Sequence, residues 1–354
     1  MKAPLIQTVT GVIIALAAAI ALLILGKPLL LPFAVAIIIW YVIDALAASI
    51  RQLRIAGLQP FRHLGLLMAL LVIGLLLSGM TSMIGDTAEQ VRTAAPGYQD
   101  NAQKILDKFS HITGIEVAPV VKQWVSQLNM GKLVGSIASG VMALAGNAGM
   151  VAIYVAFLLL EQRYFPVKVR LLFPDKNRRK KVLSVLHEIQ VQIRQYLYLK
   201  TVVCALTGLL SYLVLIWVGV DYAPFWALLV FLLNYIPTIG SLVAVALPTL
   251  LALVQFETLT PFLILLISLG SLQLLIGNVV EPRLMGSSLN LSPLVVILAL
   301  STWGQIWGVI GMLLSVPVTV IGMIIFSHFP HTRPVAIMLS ENGLLQEKHP
   351  GQGG

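Results

Sequence analysis

Asp221-Tyr-Ala-Pro-Phe-Trp-Ala-Leu-Leu-Val-Phe-Leu-Leu-Asn-Tyr-Ile-Pro-Thr-Ile-Gly-Ser241 is the stretch that decides the fold. Pro224 to Leu233 is an apolar run too short to cross a bilayer. Ten helical residues rise about 15 Å, half of a hydrocarbon core of about 30 Å. A polar break bearing Pro237 and Gly240 follows, and then a second apolar run, Leu242 to Phe256. The pattern returns at Asn290-Leu-Ser-Pro293, with a run from Pro293 to Thr302, a break at Trp303-Gly-Gln-Ile-Trp-Gly308, and a run from Val309 to Phe326. A helix that stops halfway exposes backbone polar groups at membrane depth, which is tolerated only where protein or a water-filled cavity covers them. Two broken helices in corresponding positions are the best sequence pointer to a transporter's binding site.

The whole composition fits a polytopic membrane protein. The 354 residues are 58% hydrophobic and only 10% charged, with a mean hydropathy of +0.93, well outside the range of soluble domains. The formal net charge is +9. It excludes neither nucleic acid nor lipid by itself, but its distribution argues against nucleic acid. Cys204 is the single cysteine and lies in an apolar segment, so no intramolecular disulfide can form. No zinc motif, phosphate loop or nucleophile elbow is present, and no catalytic residue, metal site or cofactor is expected.

Long apolar segments follow in order: Val9–Leu25, Leu29–Ala48 with Asp44 near its end, Leu64–Ile84, Gly135–Leu160, Tyr196–Val220 and Pro261–Val280, with the two broken pairs over 224–256 and 293–326. The first is read as an uncleaved span, since Lys2 is its only basic flank and another span follows at once. Basic residues set the orientation. Arg51, Arg54 and Arg62 mark one loop, and 163–200 holds ten Lys or Arg, including the run 176–181. Both loops are cytoplasmic if the N-terminus is, which puts 85–134 outside. The fifth span then runs outward and the sixth inward, so the broken pairs enter from opposite sides as an inverted repeat. The alternative is two full spans kinked by Pro and Gly.

The fold class predicted is an all-α polytopic membrane protein with six full transmembrane helices, two inverted re-entrant hairpins and a small helical extracytoplasmic domain. The divisions are 1–84 (three spans), 85–134 (the outer helical domain), 135–162 (a span), 163–195 (a basic amphipathic cytoplasmic segment), 196–326 (the transport core) and 327–354 (a cytoplasmic tail). In the outer domain Val91, Ala94, Tyr98, Ala102, Ile105 and Phe109 share one helical face. In the amphipathic segment Val182, Val185, Leu186, Ile189, Ile193 and Tyr196 do the same. Its basic side suits anionic lipid headgroups.

Five ordered motifs carry a resemblance. They are Tyr196-Leu-Tyr-Leu-Lys-Thr201, Phe225-Trp-Ala-Leu with Asn234-Tyr-Ile-Pro-Thr-Ile-Gly240, Gly277-Asn-Val-Val-Glu-Pro-Arg-Leu-Met-Gly286, Leu291-Ser-Pro-Leu-Val, and Gly308-Val-Ile-Gly-Met-Leu-Leu-Ser-Val-Pro317. Together they resemble the autoinducer-2 exporter family of bacterial membrane proteins, most strongly over 196–325. The resemblance implies a homo-oligomeric, pentameric secondary transporter of the inner membrane working by an elevator-like movement. It also implies a choice of cargo: a small polar metabolite such as autoinducer-2, or, in members resembling sodium–proton antiporters, a monovalent cation exchanged for H⁺. The small solute, coupling H⁺ or Na⁺, and membrane lipids are the partners expected; nucleic acid is not.

The candidate transport residues are Asn234, Pro237 and Gly240 in the first break, Gly304 and Gln305 in the second, and Asn278, Glu281 and Arg283 at the end of the sixth span. The Asn234 amide offers a donor and an acceptor to a solute, or it serves only the backbone of the break. Asn278 and Glu281, three apart, share a helix face. Glu281 either couples protons or is locked by Arg283. Gly308, Gly311 and Pro317 are hinge or close-packing positions. Lys200 is expected to snorkel to the interface, Asp44 to be an interfacial carboxylate, and Asp221 and Asn290 to cap the helices that follow them.

Overall fold

A computed structural model describes residues 5–52, 148–285 and 290–343, with scattered residues between 74 and 146. The described chain is helical, with one isolated antiparallel bridge, Leu291 to Ser340. The 53–62 loop, most of the third span, the second half of the outer domain, most of 135–147 and the last eleven residues lie outside the described residues, as does the side chain of Asp44.

The helices are α1 Leu5–Leu25, α2 Lys27–Gln52, α3 Ala148–Glu161, α4 Phe165–Leu172, α5 Lys176–Val218, α6 Ala223–Leu233 and α7 Ile239–Gln255. After them come α8 Thr260–Met285, α9 Pro293–Trp307, α10 Val309–Ser327 and α11 Arg333–Leu339. Three of these, α5, α8 and α10, are long and apolar enough to cross a membrane, and up to five crossings result if each bent pair counts as one span. The bent pairs are α1 with α2, at 83°, and α3 with α4, at 66°. This is a membrane protein built from helices, as its composition requires: in hydrocarbon each backbone N–H and C=O must be satisfied within its own helix.

The chain divides into two compact units. One contains residues 1–46, 148–197 and 287–354. In it α9 and α10 pack along one another, and the Trp307 indole N–H donates to the Leu23 carbonyl at 3.1 Å. The other contains 47–147 and 198–286. Its core gathers Leu215, Phe225, Trp226, Leu251 and Leu265 with Ile84 from the end of the third span and Val91 and Tyr98 from the outer domain. The apolar face expected there is therefore buried as far as it is described, with Val91 and Tyr98 in the core and Ala94 packed on it.

α5 runs without interruption from the amphipathic segment into the fifth span. The basic amphipathic segment and the fifth span form one helix of 43 residues, about 64 Å long, twice the thickness of a hydrocarbon core. Ile189, Ile193 and Tyr196 are buried on its first half, on the face the sequence marked.

The two broken pairs differ. In the first, α6 has 11 residues and ends at Asn234, and the chain is non-helical up to Thr238. Thr238 itself has φ +61°, strained for a residue with a Cβ. Gly240 follows because a Cβ there would collide with the Leu233 carbonyl oxygen. In the second, the helix does not stop at Thr302 but runs 15 residues to Trp307. Trp, Gln and Ile are acceptable helix formers. Only Gly308, at φ +68° and ψ −146°, breaks the chain, in a region open to glycine alone. The following α10 has 19 residues and is span-length by itself. The cap expectations also fail. The helix after Asp221 begins behind Tyr222, in a left-handed conformation. That after Asn290 begins behind Ser292. Neither start has a side-chain cap bond.

Candidate transport site

α5 carries a polar stripe through an otherwise apolar span. Lys200, Cys204, Thr207 and Ser211 fall at i, i+4, i+7 and i+11, one face of a helix. All four are buried. In a lipid-facing span such side chains are costly, so the stripe must face protein, and its partners come from the break after α6 and from α8.

Asn234 is the centre. It sits at the C-terminal end of α6, only 3% exposed. Its Nδ2 donates to Thr207 Oγ1 at 3.2 Å, and its Oδ1 accepts from Gln273 Nε2 at 2.9 Å. Thr207 Oγ1 in turn donates to the Val203 carbonyl at 2.8 Å. The direction runs Gln273, Asn234, Thr207, Val203, each donor passing to the next acceptor. Beside it the Tyr235 hydroxyl donates to Thr201 Oγ1 at 2.8 Å. Two turns from Thr207 towards the start of α5, Lys200 Nζ lies 2.5 Å from Glu281 Oε1. Three elements thus converge on one polar seam within the membrane-spanning part of the unit. Leaving any one buried member unpaired costs about 1–3 kcal/mol.

The placement of the sequence candidates is mixed. Asn234 and Glu281 are in the seam. Pro237 and Gly240 build the break that frees Asn234, with the Pro237 carbonyl accepting from Ile239 N–H. Asn278 and Arg283 are exposed. The Arg283 lock is replaced by Lys200, since residues two apart point to opposite sides of a helix. Lys200, at 3% exposure, does not snorkel. Asn278, within the π turn Ile276–Val280, is exposed, whereas Glu281 just after it meets Lys200. Gly304 and Gln305 lie in the last turn of α9, Gly304 against the Met312 side chain and Gln305 exposed. Gly311 is buried against Trp303, and Pro317 is buried within α10. Thr201, Cys204, Thr207, Tyr235 and Gln273 were not singled out. The stripe at 200, 204, 207 and 211 was the readable signal for three of the seam's side chains. Nothing local marks Gln273, whose partner is 39 positions away in sequence.

The profile of AI-2E family transporters matches residues 7–331, which takes in the seam and both broken pairs. The chain belongs to the AI-2E transporter family. Among its relatives, the AI-2 transport protein TqsA of Escherichia coli strain K12 is 27% identical over 317 residues, 88% of this chain and 90% of that protein. A protein of Haemophilus influenzae named only for transport is 27% identical over 90% of this chain and 91% of its own length. Another so named, from Borreliella burgdorferi, is 35% identical over 197 residues. This match spans 55% of the chain and about half, 54%, of the Borreliella protein. As an AI-2E family member the chain is a membrane transporter, and transporters are not enzymes.

Proposed function

We propose that this AI-2E transporter exports a small polar metabolite, of the autoinducer-2 type, across the bacterial inner membrane by secondary transport. The single observation that supports this reading most is the Asn234 amide, buried at a helix break and held between Thr207 and Gln273. A break bares backbone and side-chain polar groups that can be handed to a solute one at a time, and amide and hydroxyl groups suit a neutral, hydroxyl-rich cargo. The E. coli relative named for AI-2 transport supports the choice of cargo. The alternative, Na⁺ or Li⁺ exchanged for H⁺, needs a carboxylate free to alternate between cation and proton. Glu281 is the carboxylate of the seam and is engaged by Lys200, which favours the solute.

The rest of the reading follows the charge pattern and the family. The protein is multi-pass with both termini cytoplasmic, its two broken pairs form opposed re-entrant hairpins, and it works as a homo-oligomer, a pentamer, through an elevator-like movement. The proposal is tested in everted membrane vesicles with an imposed pH gradient. Accumulation of autoinducer-2 that disappears in Asn234→Ala supports it. Li⁺ or Na⁺ flux with no autoinducer-2 accumulation moves the assignment to the antiporter.

A further inference from the structure

The Lys200–Glu281 pair is tightly joined, with the lysine buried and the carboxylate half-buried. Lys200 is 3% and Glu281 23% exposed, with 2.5 Å between charges. Glu281 is the first residue after the π turn Ile276–Val280, and Gln273 precedes that turn. In an uninterrupted α-helix two residues eight positions apart differ by about 80° in direction. The extra residue of a π turn cuts that difference to about 20°. The turn is therefore what lets both residues of α8 reach their partners at once, Gln273 on Asn234 and Glu281 on Lys200. Relaxing it to regular α-helix breaks one of the two contacts. The Gln273 contact is neutral; the Glu281 contact depends on charge.

We propose that the ion pair of Glu281 with Lys200 latches the π turn, and that parting of the pair releases the turn and opens the seam beside Cys204. The inference rests on the transporter reading for its place in a cycle. A charge pair out of water is held strongly, and removing one partner's charge leaves the other buried and uncompensated. The titratable groups around Glu281 are Lys200 and Cys204 of α5, with Tyr235 of the break beside Cys204 and Arg283 exposed on its own turn.

Cys204 is the chain's single cysteine and is wholly buried, so it reports opening without any solute. The full-length protein is treated with N-ethylmaleimide at pH 7.5 as wild type, Glu281→Gln and Lys200→Gln/Glu281→Gln. Both variants are expected to label at least tenfold faster than wild type. Glu281→Gln leaves a cation beside the thiol and could speed labelling by charge alone. The double variant removes that cation, so its return to the wild-type rate overturns the latch, as do single-variant rates within twofold of wild type. Hydrogen exchange reads the turn itself, with 265–272 as an internal control for folding. In Lys200→Met and in Glu281→Gln, each against wild type at pH 7.5, amides of 276–281 are expected to lose at least fivefold protection relative to 265–272. An unchanged ratio overturns the proposal. Both measurements are made without solute. Failure here leaves the exporter reading standing, and absence of autoinducer-2 flux leaves the latch standing.

Discussion

Gln273 donates to the Asn234 side chain across 2.9 Å and so ties the middle of α8 to the break between α6 and α7. Asn234 is buried and Gln273 half-buried, and each meets a polar partner in the other. The relation makes the break part of a packed unit rather than a loose loop, because the polar group it exposes is satisfied from two helices at once.

Asn234→Ala and Gln273→Ala are each expected to abolish most transport while lowering stability by about 1–3 kcal/mol, the cost of an orphaned buried donor or acceptor. The double change is expected to cost less than the sum of the two, because the second substitution removes a group the first left unpaired. Vesicle flux and detergent melting curves of the three variants measure this. Fully additive losses would mean that the two amides act separately.

Much of this site was legible beforehand, for identifiable reasons. Asn234, Pro237 and Gly240 stood out because polar and helix-breaking residues inside an apolar run violate the local pattern. The end of α9 was misread because Trp303-Gly-Gln-Ile-Trp resembles a break in composition yet keeps helical geometry up to Gly308. Glu281 was paired with Arg283 because spacing along a regular helix cannot reveal a π turn, and the turn alone decides which way Glu281 points. Lys200 was given to the interface on its place near a span's end. Its burial depends on a carboxylate 81 positions away in sequence.

Gly240→Ala tests the shape of the break. The added methyl would meet the Leu233 carbonyl oxygen and the Ile236 side chain, and backbone does not yield as a flexible side chain does. Overpacking of this kind costs about 1–3 kcal/mol. The variant is expected to express less and melt earlier than wild type. Gly277→Ala, where nothing lies within 4 Å of the added atom, serves as the control and is expected to melt like wild type.

Tyr98 gives a pH prediction outside the spans. Its hydroxyl donates to the Asp221 carboxylate at 3.0 Å. Burial first, and then that hydrogen bond and the carboxylate's charge, push the phenol above the usual tyrosine range. Because the folded value lies above the unfolded one of about 10, the contribution to stability is complete below pH 10 and is lost as pH rises beyond it. Wild type is expected to lose melting temperature more steeply than Tyr98→Phe above pH 10, with the two curves parallel below. At neutral pH the variant is expected to be weaker by about 0.5–1.5 kcal/mol, one hydrogen bond. Parallel curves throughout would show that the phenol does not contribute.

The orientation of the chain follows from charge and can be settled by labelling. With Cys204 replaced by Ser, single cysteines at Lys108 and Gln123 are expected to react with an impermeant maleimide in intact cells. Those at Asn177 and Ser287 are expected to react only after permeabilisation. Residue 177 is the informative one. It stands next to the run Arg178-Arg-Lys-Lys181 at the start of α5, where basic residues resist translocation, and α5 carries the polar stripe across the membrane. Placing 177 inside therefore puts Lys200, and with it Glu281, on the cytoplasmic side of Thr207 along that helix. Labelling of 177 from outside would reverse the stripe and the break together.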